Sequence, residues 1–135
     1  MKEIESSKLI SHSEPLTFNP AQCGTNLEIS KTETTLKWLK HVGWWSAFLW
    51  SSINGVFQFD IKILKSKNME IMIGVSTKQN QLLSYFPFSD EGWGLYLSHG
   101  KIYHNNDGQF YTSRKIFNGD IIRTIVDVWN GNLIY

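Results

Sequence analysis

Four side chains that could react lie within the stretch GWGLYLSHGKIYHNNDGQFY, Gly92 to Tyr111: Ser98, His99, His104 and Asp107. A zinc or iron site needs ligands that converge on one point. Residues five apart on a strand face opposite ways, so His99 and His104 meet only if Gly100 and Lys101 turn the chain. No third ligand of suitable type follows at metal-site spacing. A Ser-His-Asp hydrolase needs its nucleophile presented to a base, and the G-x-S-x-G elbow that would do this is missing from the sequence. Glycoside hydrolysis needs two carboxylates about 5 to 10 Å apart facing one sugar. Asp90 and Glu91 are adjacent and diverge on an extended chain, and Asp60 stands alone in its segment. Phosphate-binding glycine loops open a helix, whereas GWG and DGQF lead into strand-like runs. The bland reading is a hairpin closed and flanked by polar residues. No catalytic residue, metal ligand or cofactor is expected.

The segments that position these residues have the period of strands. In VFQFDIKIL, Phe57, Phe59, Ile61 and Ile63 share one face and Gln58, Asp60 and Lys62 the other. MEIMIGV repeats the pattern with Met69, Ile71, Ile73 and Val75. In IIRTIVDVW, Ile122, Thr124, Val126 and Val128 oppose Ile121, Arg123, Ile125 and Asp127, a second face that is only partly polar. Turn-forming clusters recur every 8 to 15 residues, the spacing of a sandwich or barrel of short strands. Asn-Gly pairs at Asn54, Asn118 and Asn130 lie beside apolar runs, and the last predicts a hairpin because both residues tolerate positive φ. TTLKWLKHVGWW has three apolar residues near helical spacing, but Gly43 follows at once and the β-branched and aromatic content favours strand.

Composition fits one domain. The 135 residues are 41% hydrophobic and 14% aromatic, enough for a real core. A formal charge of +1 provides no field for nucleic acid or an acidic membrane. The cationic cluster Lys62, Lys65 and Lys67 has no stacking aromatics between its members and reads as a solvated hairpin end. Cys23 is the single cysteine, which excludes an internal disulfide and suits a reducing compartment. The N-terminus has no apolar core of signal-peptide type, and no stretch approaches the roughly 20 apolar residues of a membrane span. A cytoplasmic location is expected, with the nucleus as a second possibility. Residues 1–17, rich in Ser, Lys and Glu, read as a flexible tail or linker, and the domain as residues 18–135.

Trp38, Trp44, Trp45, Trp50, Trp93 and Trp129 are too many for a core of this size to bury completely. Some should be exposed, where indoles make recognition hot spots.

The order of the motifs resembles a family. GVFQFDIKIL, EIMIGVST, GWGLYLSHGKIYHNN and FNGDIIRTIVDVWNGNLIY follow one another as the strands of the SPRY domain do, and FNPAQCGTNLEIS is similar to the segment that precedes that core in PRY-SPRY modules. The likeness covers about residues 18 to 135. It departs where Asp60 takes the acidic position of a strand and where Ile122, Arg123 and Thr124 replace the usual IGV. The family usually continues through further strands, so a strand ending at Tyr135 is expected to leave an open edge, as a truncated chain would.

The resemblance implies a concanavalin-like antiparallel β-sandwich, all-β, that does not catalyse but binds a protein partner, a peptide motif or a surface, through loops at one end. It implies service as an adaptor or as the substrate receptor of a ubiquitin ligase. Carried over residue by residue, the partner-binding positions are His41, Trp44 and Trp45 in HVGWW, and Tyr85 and Phe86 in LLSYFPFSDEG. Trp93, Gly94, Asp127 and Gly131 are scaffold. Two other classes stay open: a carbohydrate-binding, lectin-like sandwich using YHNNDGQFY, and a structural subunit contact in a large assembly.

Overall fold

The computed structural model describes residues 6–10, 17–39, 47–49, 55–76, 92–105 and 107–135. Among these residues all regular structure is strand: β1 (Ser6–Ile10), β2 (Phe18–Cys23), β3 (Leu27–Ile29), β4 (Thr35–Trp38), β5 (Ala47–Leu49), β6 (Val56–Lys65), β7 (Met72–Ser76), β8 (Gly92–Tyr96), β9 (Lys101–His104), β10 (Asp107–Phe110), β11 (Ile121–Asp127) and β12 (Asn132–Ile134). A six-stranded sheet has the order β12-β11-β6-β1-β4-β3, a four-stranded sheet β10-β9-β8-β7, and β2 pairs with β5. Every pairing is antiparallel and no sheet closes on itself. The fold is all-β and of the sandwich type, as the alternation of apolar residues predicts.

Strand phase decides the core. Register sets Phe57 opposite Val126, Phe59 opposite Thr124 and Ile61 opposite Ile122. Phe59, Ile63, Ile122 and Val126 are buried together with Ile73, Leu95 and Leu97 from the smaller sheet and its turn, and with Phe18. Ile63 is fully buried, at 0% exposure. The weak helical signal near Leu36 resolves as β4, a strand between β1 and β3. β7 starts later than its pattern predicts, because Met69 takes a positive φ of 53° and breaks the alternation before Met72. The expected hairpin forms between β11 and β12, but through the longer turn Val128 to Gly131, in which Gly131 takes a positive φ of 68° and Asn130 does not.

The expected tail contributes a strand. Ser6–Ile10 runs between β6 and β4, antiparallel to both. The short SSKLI run has no clear alternation to announce this. Its place follows from main-chain pairing on both sides, since without it β6 and β4 would each present an open ladder.

Tyr135 ties the two larger sheets together. Its hydroxyl donates to the Ile73 carbonyl at 2.6 Å and accepts the Leu95 N–H at 3.2 Å, bridging β7 and β8 where they pair. The Tyr111 hydroxyl accepts the Tyr135 N–H and donates to its carbonyl, each at 3.0 Å, with the rings edge to face at 5.9 Å. Burial pushes the Tyr135 phenol above its ordinary value. A raised folded value means that the stability from this group is complete below the unfolded tyrosine value of about 10 and is lost as pH rises through the folded value. Tyr135→Phe is expected to lower stability at neutral pH by about 1 kcal/mol, since it removes a buried hydroxyl bonded to main-chain groups of both strands. It should also flatten the loss of stability at alkaline pH, read by denaturant unfolding at several pH values.

Thr124 offers the opposite case. It is fully buried against the core, and its hydroxyl has no hydrogen-bond partner among the described residues. Valine keeps the shape and removes the stranded polar atom. Thr124→Val is expected to raise stability by about 1 kcal/mol, measured as a shift of the denaturation midpoint at unchanged slope.

Candidate functional site

The five partner-binding positions, His41, Trp44, Trp45, Tyr85 and Phe86, lie outside the described residues. The described strands show where their segments attach. Lys37 of β4 pairs with Ser6, which lies opposite Lys65, so residues 40–46 leave near the end of β6. Ser76 pairs with Gly92, so residues 77–91 leave and return at the far end of the smaller sheet from Met72, where the connection from Lys65 arrives.

The reactive-looking stretch is a meander of three strands. Leu97 to Gly100 turn the chain, with the His99 and Gly100 N–H groups donating to the Tyr96 carbonyl at 3.2 and 2.9 Å. His99 sits on that turn, 4.4 Å from the Tyr96 ring, with Nδ1 3.1 Å from the Tyr103 hydroxyl. His104 stacks flat on Trp93, ring centres 4.4 Å apart at 6°, with Nδ1 2.8 Å from the Gly92 carbonyl. Each ring is occupied by its own neighbours. Asp107 is exposed and joins His104 through the β9–β10 ladder. Among the described residues no group of three His, Cys, Asp or Glu could hold a metal ion.

Register places Met72, Tyr96, Lys101 and Phe110 in one row across the smaller sheet, and Gly74, Gly94, Tyr103 and Gly108 in the next. These rows share the face opposite Ile73 and Leu95, which point into the core. Tyr103 lies across Gly108, where an added Cβ would stand 2.6 Å from the ring. Phe110, 72% exposed, ends the first row. The face is an aromatic shelf beside a floor of glycines.

A second exposed feature is the β11–β12 turn. Trp129 is 77% exposed, the largest exposure among the described large apolar residues, and it lies over Gly55, where a Cβ would come within 2.9 Å of the indole. The Val128 N–H donates to the Gly55 carbonyl at 2.9 Å. Asp127 accepts both the N–H and the side-chain amide of Asn130, at 3.1 and 2.6 Å, and these bonds hold its carboxyl below the usual carboxylate value. The turn stands at the start of β6, the same end of the strands as Ser76 and Gly92. Val56, Ile121 and Ile134 are exposed on the adjoining outer face, whose partly apolar character was visible in IIRTIVDVW. That some tryptophans are exposed was legible from their number. That Trp129 is one of them depends on the turn.

Asp60 has a partner after all. Arg123 lies directly across from it and meets the carboxylate with both arms of its fork, Nε to Oδ1 at 3.0 Å and Nη2 to Oδ2 at 3.1 Å. The Asp60 side chain is only 5% exposed and that of Arg123 52%. A buried carboxylate already held by a bidentate cation is a structural group rather than a general acid. Cys23 is likewise quiet: its thiol points to the Gly24 and Leu27 carbonyls at 3.5 and 4.0 Å, and burial pushes its pKa up. A depression of about 340 Å³ beside it, lined by Pro20, Leu27 and Glu28, gathers no cluster of reactive groups.

Arg123→Leu is expected to lower the denaturation midpoint by leaving the Asp60 carboxylate without its fork. Arg123→Lys should recover only part, because an ammonium is a point charge that does not match both oxygens. A midpoint equal to wild type in Arg123→Leu would show that the pair contributes nothing. In comparisons with known proteins, no family model and no curated protein matches this chain.

Proposed function

We propose that the chain is a non-catalytic binding module of the SPRY (PRY-SPRY) type that holds a protein partner, by a short peptide or a surface patch, with aromatic residues carried on a β-sandwich. In this reading it serves as an adaptor or as the substrate receptor of a ubiquitin ligase and works in the cytoplasm. The contacts are made by His41, Trp44 and Trp45 on one segment and Tyr85 and Phe86 on another. The observation that carries the reading is Trp129, a large aromatic left 77% exposed on a short hairpin turn. Its anchorage on paired strands limits the entropy lost on binding, and it lies at the end of the strands from which residues 77–91 depart. The motif order supports the family assignment, since the quoted segments fall on β6, β7, β8 with β9, and β11 with β12. Among the described residues no helix is long and apolar enough to cross a membrane.

The aromatic shelf of Tyr96, Tyr103 and Phe110 favours a second reading, stacking of a sugar ring on the outer face of the smaller sheet. One experiment separates the two. The wild-type chain is used as bait in a proteome pull-down beside Trp44→Ala/Trp45→Ala, Tyr85→Ala/Phe86→Ala and Trp129→Ala variants, and in parallel on a glycan array. The two loop pairs are tested separately because they lie on different segments of the chain. The protein-binding reading expects one partner retained by the wild type and depleted at least tenfold, about 1.4 kcal/mol, in a loop variant. Saturable sugar binding removed by Tyr103→Ala with Phe110→Ala, alongside unchanged protein capture in all three variants, would overturn it.

A further inference from the structure

Asparagine followed by glycine can convert without an enzyme. The glycine amide nitrogen, losing its proton, attacks the asparagine Cγ. An N–Cγ bond forms, the Cγ–Nδ2 bond breaks, and ammonia leaves with the proton. Water then opens the resulting imide at either carbonyl, giving aspartate or isoaspartate. No electrons are exchanged, and water is the only co-reactant. The step needs a glycine nitrogen that is free to be deprotonated and a side chain that can swing onto it.

The two described Asn-Gly turns both hold the asparagine side chain, by different partners, and they differ in the glycine nitrogen. At Asn118-Gly119 the reacting groups are held from outside the turn. The Asn118 side-chain oxygen accepts the Ser66 N–H at 2.8 Å, and the Gly119 N–H donates to the Ile63 carbonyl at 2.6 Å. Ser66 and Ile63 are both buried, and Asp120 closes the turn by accepting the Phe117 N–H at 2.8 Å. At Asn130-Gly131 both residues are exposed, as Asn118 and Gly119 are. The Gly131 N–H has no backbone acceptor among the described residues. The Asn130 side chain is held by Asp127, whose Oδ2 takes its amide at 2.6 Å while Oδ1 takes the Asn130 N–H at 3.1 Å.

We infer that Asn130-Gly131 is the turn at which the folded chain deamidates, and that the Asp127 carboxylate is the brake on the reaction, keeping the Asn130 amide away from the Gly131 nitrogen. Conversion has a built-in consequence. The new carboxylate replaces a donor that faced Asp127 at 2.6 Å, so attraction becomes repulsion. The isoaspartate product also routes the main chain through an extra carbon in the turn that sets Trp129 over Gly55.

The test incubates the folded full chain at mildly alkaline pH and maps its peptides by mass spectrometry, with fragmentation that separates aspartate from isoaspartate. Conversion at Asn130 is expected to run several-fold ahead of Asn118, and the gap should close in denaturant. Asp127→Ala should speed conversion at Asn130 and leave Asn118 at its wild-type rate. Acceleration at both positions would mean that the variant has unfolded, and the wild-type ranking then decides. Asn118 converting as fast as Asn130 in the folded wild type would overturn the assignment. An unchanged rate at Asn130 in a variant whose Asn118 rate is also unchanged would remove Asp127 as the brake.

Discussion

β6 is stable in water only if both of its long edges are paired. Its ten residues carry the apolar face on which the core is built, from Phe57 to Ile63, and an unpaired edge on such a strand would recruit other chains. β11 covers one edge from Val56 to Lys62, and β1 the other from Asp60 to Lys65. Much of the remaining architecture follows from these pairings. β11 brings Ile122 and Val126 onto the core and starts the hairpin that carries Trp129. β1 hands the sheet on to β4 and β3. The register of β6 with β11 also decides that Asp60 meets Arg123, so the bidentate pair reinforces the alignment that creates it.

Such pairing explains what could be read in the sequence and what could not. The buried face of β6 was legible because one side of the strand meets the core and apolar and polar residues alternate from Phe57 to Ile63, whereas β11 carries Ile121 and Ile125 on its outer face as well. His99 and His104 meet different neighbours, but strand parity is not the reason, because His99 lies on the Leu97–Gly100 turn. The strand at Ser6–Ile10 was not legible, because main-chain bonding to two neighbours leaves no signature in side-chain type. Nor was the Asp60–Arg123 pair, whose members are 63 residues apart and become neighbours only once register is known. Both positions stood out from the sequence as departures from the SPRY-like pattern, and the structure makes them partners. The cross-sheet role of Tyr135 depends on how the sheets stack, which alternation along single strands does not encode.

Polar groups in this fold are mostly spent on holding shape. His104 is stacked and bonded beside Trp93, Asp127 organises its own turn, and Asp60 is closed by Arg123. Large apolar side chains are nevertheless left exposed among the charged ones: Trp129, Phe110, and the outer-face residues Val56, Ile121 and Ile134.

The Cys23 thiol, turned toward main-chain carbonyls at the end of β2, has a use that is independent of function. A thiol reagent reacts with the thiolate, and burial here suppresses that form. Labelling of native protein is therefore expected to be slow. With a single cysteine in the chain, a thiol reagent placed there reports on the corner between β2 and β3 and on nothing else.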